Sequence, residues 1–317
     1  MPSKLVSSIR IFCLTLAFCA AFALVTSPAI AKKYNKIEKQ NIVIIGDRVV
    51  DIAYNLGVLP VGISARCSLW EMCGMIKVIA QPVGCPGCLS KGKTGNLTKL
   101  IKAKKIKQVI IEKSQPFCIL QPDANPLDPV DHLKKLGMDV QYVDFSKGVV
   151  SAIEQTASLL GKKKAGKALA RNYEKAVAKL KKQLSGAKLG KRVVVLKGVY
   201  QAATGKSFLQ VEAPGGYSDK FILEPLGCQN VGAALVPRGK KPNKGHWTIR
   251  KLKKLVAAKP DVIVITGDST AVQKALVAAM ADNPGLCKIP AFSLPAYIDS
   301  SIIERPQIVG KWFWALK

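Results

Sequence analysis

The sequence predicts an α/β fold of two Rossmann-like lobes, each built on a parallel sheet and joined by a single long helix. Three patterns predict this fold: strand-like apolar runs that end in turns, helical spacing between those runs, and one long amphipathic stretch near the middle. Hydrophobic residues make up 49% of the 317 residues and charged residues 22%. This composition supports a large packed core and excludes an intrinsically disordered chain.

The first lobe opens with the apolar run Asn41 to Ile45, which predicts a buried strand. A Gly46-Asp47 turn follows, and the apolar spacing from Val49 to Leu56 predicts a helix that ends at Gly57. The same alternation continues along this part of the chain, which favours a parallel sheet with helices on its faces. Further strands are predicted at 61–63, 108–111 and 139–143, and further helices around 97–101 and 130–136.

A helical pattern without strand signals then runs from Val149 to Leu184. It predicts one long helix, or two helices that meet near Gly161, between the lobes. The second lobe begins with the strand Arg192 to Leu196, continues through a helical region from Tyr217 to Leu226, and returns to a strand at Asp261 to Ile265. Gly267 and Asp268 form the turn after that strand.

The first 31 residues have the layout of a secretory signal peptide. Lys4 and Arg10 precede an apolar run, and Ala29-Ile30-Ala31 supplies the small residues of a cleavage site. An uncleaved membrane anchor and a lipid-carrying Cys19 are the alternatives. The predicted organisation is a signal peptide at 1–31, an N-terminal lobe at 32–148, a linking helix at 149–186 and a C-terminal lobe at 187–317.

The chain is strongly basic, with 49 Lys and Arg against 20 Asp and Glu and a formal charge of +29. Such a charge predicts attraction to anionic ligands and peripheral contact with an anionic membrane surface. The cations recur at helical spacing throughout the chain, without the interleaved aromatic residues that base stacking needs. We therefore expect no nucleic-acid partner.

Several segments, in this order, resemble a known family. They are Gly46 to Gly57 with its Leu-Gly ending, Leu255 to Val264 with Pro260-Asp261, and Ile289-Pro290-Ala291. In the first lobe, Lys107-Gln108 stands where the family usually has Pro-Asp. Together these segments resemble the substrate-binding proteins of ABC importers, in the class whose lobes are joined by a rigid helix and which carry ferric siderophores, haem, corrinoids or metal ions.

The resemblance implies an extracytoplasmic, monomeric receptor that performs no covalent chemistry. It would capture a metal ion or metal chelate and deliver this small solute to a membrane permease. Ligands of open α/β sheets bind beyond the carboxyl ends of the strands, so the ligand cleft is expected between the two lobes. The candidate ligand-binding residues in those loops are Arg48, Lys113, Lys197, Tyr200, Tyr217, Asp268 and Tyr297.

Cysteines supply a second candidate site. Cys85-Pro-Gly-Cys88 could grip one soft metal ion, and three further cysteines could complete its ligand shell. Disulfides are the structural alternative for an exported protein, and a redox-active Cys85–Cys88 pair is a third. The alternative function is therefore an exported thiol or metal-cluster protein. The candidate metal ligands are Cys67, Cys73, Cys85, Cys88 and Cys118.

Other chemistry has little support in the sequence. His132 and His246 are its two histidines; we expect His132 on a surface helix and His246 at the start of a second-lobe helix. Gly205-Lys206-Ser207 lacks the earlier glycine of a phosphate-binding loop. Neither a nucleophile elbow nor a His-Glu-x-x-His run occurs, so nothing in the sequence supports a hydrolase.

Overall fold

The computed structural model describes residues 37–115 and 117–317 of the chain. The predicted signal peptide, with its alternatives of a membrane anchor or a lipid-carrying Cys19, lies outside these residues. Within the described ranges, no helix combines the length and the apolar character needed to cross a membrane.

The first lobe is built on a five-stranded sheet in which every pairing is parallel. Its strand order is β3-β2-β1-β4-β5. The central strands read as continuous Val and Ile runs because helices cover both faces of the sheet. The strands are β1 (Glu38–Ile45), β2 (Val58–Ser64), β3 (Gln81–Pro82), β4 (Gln108–Lys113) and β5 (Asp139–Asp144).

Five helices connect these strands, and the apolar residues beneath them form two cores, one on each face of the sheet. The predicted strand-turn-helix at the start of the lobe is confirmed, with Gly57 in the left-handed region (φ 75°) after the first helix. The helices are α1 (Asp47–Asn55), α2 (Glu71–Ile76), α3 (Pro86–Ser90), α4 (Gly95–Lys104) and α5 (Val130–Lys135).

Two helices, α6 (Val149–Leu159) and α7 (Lys163–Leu184), follow the first sheet. Gly161, with φ 68°, separates them, so the second of the two predicted arrangements is the one observed. At 1.5 Å per residue, α7 is roughly 33 Å long. Its Ala170 is buried in a first-lobe core, while its Leu180 and Leu184 pack against a second-lobe core. This helix therefore spans the two lobes.

The second lobe carries a six-stranded sheet with the order β11-β10-β6-β7-β9, and β8 pairs with β6. The prediction of a purely parallel sheet is wrong here, because β7 runs antiparallel to both β6 and β9. The turn between β6 and β7 is too short for a crossover helix and therefore forces a hairpin. The strands are β6 (Arg192–Gln201), β7 (Lys206–Glu212), β8 (Gln229–Asn230), β9 (His246–Ile249), β10 (Val262–Gly267) and β11 (Ala291–Ser293).

The remaining α-helices of the described residues are α8 (Ser269–Asp282) and α9 (Arg305–Leu316), and the predicted helical region from Tyr217 to Leu226 contains a π-helix at Asp219–Leu223. Between β11 and α9 the chain returns to the first lobe, where Ile302 and Ile303 join a first-lobe core. Trp312 of α9 is fully buried in the second lobe, and its indole Nε1 donates to the Pro295 carbonyl (2.9 Å). The segment 295–304 is therefore held between the two lobes.

Candidate ligand-binding groove

A buried ionic network occupies one part of the contact between the lobes. The Arg66 guanidinium pairs with Asp47, donates from Nη1 to the Tyr217 hydroxyl (2.7 Å) and from Nη2 to Ser300 Oγ (3.2 Å). The Ser300 hydroxyl in turn donates to Asp47. Arg66 and Asp47 follow β2 and β1, whereas Tyr217 belongs to the second lobe. These contacts therefore join the two lobes through paired polar groups.

A second arginine extends this network. Arg48 pairs with Asp299 and lies 3.7 Å from the Glu112 carboxylate, and all three side chains are buried. Gly46 permits this packing, because a Cβ atom at that position would lie 2.2 Å from the Glu112 Cβ. Its φ of 119° is also one that other residues rarely adopt. Two predicted ligand-binding residues, Arg48 and Tyr217, therefore form ion pairs or hydrogen bonds with other side chains of the protein.

An open groove lies elsewhere between the lobes. Its volume is about 1190 Å³, part of it open to solvent. Residues 67–71, after β2, form the first-lobe wall, and the ends of β6, β9 and β10 form the second-lobe wall. The lining side chains include Cys67, Leu69, Glu71, Lys197, Tyr200, Lys244, His246 and Asp268.

A smaller pocket of about 430 Å³ shares Leu69, Lys197, Lys244 and His246 with the groove. It extends to Leu120 and to the aromatic side chains of Tyr217 and Tyr297. Pockets that bind small ligands combine apolar walls with a few polar groups. The linings of the groove and of this inner pocket have that composition.

Lys197 is the half-buried cation that the groove and the inner pocket share. Burial lowers the pKa of its ammonium group, and the charges of Glu71 and Glu212 partly offset this effect. Among the described residues, none forms a hydrogen bond or ion pair with the Lys197 ammonium group. Its charge is therefore available to a ligand.

Glu212 lies beside Lys197 in the inner pocket and is buried. Its carboxylate accepts hydrogen bonds from the Ser218 backbone N–H (3.1 Å) and hydroxyl (2.8 Å). Burial is the largest effect on this carboxyl and raises its pKa to about 7. The net charge of the inner pocket therefore changes near neutral pH.

His246 lines the groove, and a backbone contact fixes the tautomer of its ring. Its Nδ1 lies 3.0 Å from the Lys244 carbonyl oxygen, which can only accept a hydrogen bond. This contact assigns the ring proton to Nδ1 and leaves Nε2 unprotonated. Burial, followed by the charge of Lys197, lowers the pKa of the imidazole, so the neutral ring is the dominant form at neutral pH.

The other predicted ligand-binding residues lie in the groove, in the inner pocket or outside both. Tyr200 is exposed at the end of β6 and lines the groove, and Asp268 lines it while capping α8 through Thr270 N (3.1 Å). Tyr297 is buried in the inner pocket, where its ring stacks on Phe221 (5.1 Å between centroids). Lys113 does not line the groove, and its ammonium pairs with Asp144 on the adjacent strand (3.2 Å).

The five candidate metal ligands are not brought together. Cys67 and Cys73 form a disulfide, which removes both sulfurs from a thiolate ligand set. Cys118 is buried and accepts a hydrogen bond from the Tyr217 hydroxyl (3.4 Å). Across residues 37–115 and 117–317, no group of three or more His, Cys, Asp or Glu side chains is arranged to hold a metal ion.

Sequence reasoning underestimated the contribution of the antiparallel strand pair β7 and β9. The expectation that His246 begins a helix is wrong: His246 begins strand β9, which pairs with the end of β7. This pairing brings Lys244 and His246 close to Glu212. The available signal was the short run His-Trp-Thr-Ile between Gly245 and Arg250, whose residues favour a strand over a helix.

Comparison with known proteins now identifies the family. The pattern described as "Periplasmic binding protein" matches residues 113–293, more than half of the chain, so the protein belongs to this family. Its members are extracytoplasmic substrate-binding components of transporters rather than enzymes. The expectations of family, location outside the cytoplasm and a non-enzymatic role are thereby confirmed. A comparison with curated protein sequences gives no match.

Solved structures share the fold at low sequence identity. The vitamin B12 binding protein BtuF of Vibrio cholerae is 15% identical, with 89% of this chain and 97% of that chain covered and a TM-score of 0.54. The heme-binding protein RhuT from Roseiflexus sp. RS-1 is 17% identical, with 88% of this chain and 98% of that chain covered and a TM-score of 0.53. The siderophore binding protein from the fuscachelin gene cluster of Thermobifida fusca is 13% identical, with 89% of this chain and 98% of that chain covered and a TM-score of 0.54. This similarity confirms the two-lobed α/β fold.

Proposed function

We propose that this protein captures a metal chelate in the groove between its lobes and delivers it to the permease of an ABC importer. Export through residues 1–31 would place it outside the cytoplasm. The observation that carries the proposal is the fixed tautomer of His246, a residue that lines the groove and whose Nε2 has no hydrogen-bond partner among the described residues. A neutral imidazole held in this way is a good ligand for the open position of a chelated transition metal.

The rest of the groove suits such a ligand. Leu69 and Leu120 supply apolar contacts, while Lys197 and Lys244 supply positive charge for carboxylate groups at the edge of a chelate. The names of the similar structures record heme, vitamin B12 and a siderophore as their ligands. All three are metal-binding or metal-containing compounds. We therefore place the cargo in this chemical class.

Optical titration tests the proposal directly. Purified protein is titrated with hemin, aquocobalamin and a ferric siderophore, and the metal-centred absorption bands are followed. We expect one of these probes to bind saturably in a 1:1 complex. We also expect a spectral shift typical of imidazole ligation for a chelate with an open metal position. Absence of saturable binding for all three probes would refute the proposal.

The two histidines of the sequence supply a test variant and its matched control. We expect His246→Ala to abolish the imidazole-dependent spectral shift and to weaken binding at least about tenfold, which corresponds to 1.4 kcal/mol. His132→Ala should leave both unchanged, because the His132 ring contacts Thr98 Oγ1 (2.7 Å) outside the groove. Equal effects of the two substitutions would show that His246 does not contact the metal.

The linking helix supports a peripheral contact with anionic membrane surfaces, which we include in the proposal. Along α7, one acidic residue accompanies eight exposed cations, and none of these cations forms an ion pair with a described residue. We expect sedimentation with vesicles containing anionic lipid at low salt and release as salt rises. Binding to neutral vesicles to the same extent would contradict this contact. The cations are Lys163, Lys164, Lys167, Arg171, Lys175, Lys179, Lys181 and Lys182.

A further inference from the structure

The segment Cys85-Pro86-Gly87-Cys88 holds two unbonded sulfurs next to each other. Cys85 Sγ and Cys88 Sγ are 3.0 Å apart, and both side chains are partly exposed. A disulfide bond is about 2.05 Å long, so a movement of about 1 Å would join them. The other free cysteines lack such a partner within the described residues: Cys118 and Cys228 are buried and Cys287 is exposed.

Helix α3 and its contacts with residues 121–125 hold the two sulfurs in position. Cys85 precedes helix α3, Pro86 occupies its first position, and the Cys88 N–H donates to the Cys85 carbonyl (2.8 Å). Gly87 lies against Gln121, whose Oε1 would be 2.1 Å from a Cβ atom at that position. Ser90 also donates to the Asn125 carbonyl. Helix α3 is therefore anchored to residues 121–125, and the sulfur pair is held in place.

The pKa values of the two thiols are shifted in opposite directions. Cys85 donates a hydrogen bond to Cys88, and this bond is the largest cause of the lowered pKa of Cys88, with Lys93 and Lys91 contributing. Burial is the largest cause of the raised pKa of Cys85. Cys88 is therefore the more acidic thiol of the pair, and Cys85 holds its proton more strongly. A dithiol with one activated sulfur has the chemistry needed for exchange with external disulfides.

We propose that Cys85 and Cys88 form a reversible dithiol–disulfide site that exchanges electrons with disulfides outside the cytoplasm. The Cys88 thiolate attacks one sulfur of an external disulfide, forms a mixed disulfide and releases the first thiolate. Cys85 then gives up its proton to solvent and attacks the Cys88 sulfur, releasing the second thiolate. The pair is oxidised by two electrons to the Cys85–Cys88 disulfide, and the external disulfide is reduced to two thiols.

This site is distinct from the ligand groove, although Lys244 links their surroundings. Lys244 lines the groove and its charge acts on the Cys85 thiol. The exchange reaction requires neither a chelate nor a metal ion. It can therefore be tested on ligand-free protein, independently of the proposed transport function.

Exchange with oxidised glutathione provides the test. The full chain is mildly reduced, freed of reductant, incubated with oxidised glutathione and then alkylated in denaturant for peptide mapping by mass spectrometry. For the unsubstituted chain we expect a Cys85–Cys88 disulfide without retained glutathione. In Cys85→Ser the second step is blocked, so Cys88 should retain one glutathione. In Cys88→Ser, modification of Cys85 should be at least tenfold slower.

Cys287→Ser is the control, since it removes the exposed free cysteine and should leave formation of the Cys85–Cys88 disulfide unchanged. Two results would overturn the proposal. One is an unsubstituted chain that keeps both thiols after glutathione has modified Cys287. The other is equal rates of glutathione addition in Cys85→Ser and Cys88→Ser, because the two sulfurs would then be equivalent.

Discussion

The two lobes meet in two chemically different regions. In the first, which we call the ionic network, Asp47, Arg48, Arg66, Asp299 and Tyr217 are buried and bonded to one another. In the second, the groove, Lys197 and the Nε2 atom of His246 have no bonding partner among the described residues. Both regions lie beyond the carboxyl ends of parallel strands, where ligands of this fold bind.

The difference shows that position at the sheet edge does not by itself make a residue a ligand contact. Buried charges that are paired within the protein hold the lobes together, and removing one partner leaves the other charge uncompensated. Partly exposed polar groups without partners can bind a ligand without first breaking an internal bond. Substitutions in the two regions should therefore have opposite consequences for stability and for ligand binding.

The largest effect is expected in the ionic network. Arg66→Met leaves the Asp47 carboxylate buried without its cation, and loss of one partner of a buried pair typically costs about 3–5 kcal/mol. We expect a loss of this size in the free energy of unfolding, measured by urea denaturation. Lys113→Ala breaks the exposed pair with Asp144 and should leave the unfolding midpoint nearly unchanged. Similar losses in both variants would contradict the distinction.

A substitution at Lys197 tests whether the groove binds the ligand. Lys197→Met keeps much of the apolar stem and removes a charge that has no partner among the described residues. We expect little change in the urea midpoint and about tenfold weaker binding of an anionic chelate, equivalent to 1.4 kcal/mol. Binding is measured by the optical titration described above. Unfolding at lower urea with unchanged affinity would instead place Lys197 among the structural charges.

Glu212 should give a smaller effect on stability than Arg66, and this effect depends on pH. Its folded-state pKa of about 7 exceeds the ordinary value of 4.5, so the folded protein retains this proton more strongly than the unfolded chain. The resulting stabilisation is fully present below pH 4.5 and is lost as pH rises through about 7. Glu212→Gln should reduce the decline in stability between pH 5 and 8 by about 2 kcal/mol, because each pH unit between 5 and 7 contributes about 1.4 kcal/mol.

The lowered pKa of His246 acts in the opposite direction, because its protonation favours the unfolded chain as pH falls below 6.5. His246→Ala therefore serves as the companion variant in the pH series. Urea midpoints measured across pH 5 to 8 in both variants separate the two contributions. An unchanged pH profile in Glu212→Gln would show that this carboxyl titrates in its ordinary range.

Local sequence patterns predicted the strands of the first lobe well, because buried parallel strands are continuous Val and Ile runs. They failed at β7 and β9, where short alternating strands leave a weak signal and a hairpin replaces a crossover. Lys197 and Asp268 were predicted from their position after the predicted strands 192–196 and 261–265, and the structure places both in the groove. That position alone could not distinguish them from Arg48, because its partner Asp299 is 251 residues away in sequence.

Hydrogen exchange measured with and without the bound chelate tests most directly whether ligand binds in the groove. Our account predicts increased protection of backbone amides in residues 67–71 and 243–248, which form the two walls. Amides of residues 47–48 and 299–300 in the ionic network should change little. Protection confined to the ionic network, with residues 67–71 and 243–248 unaffected, would contradict the account.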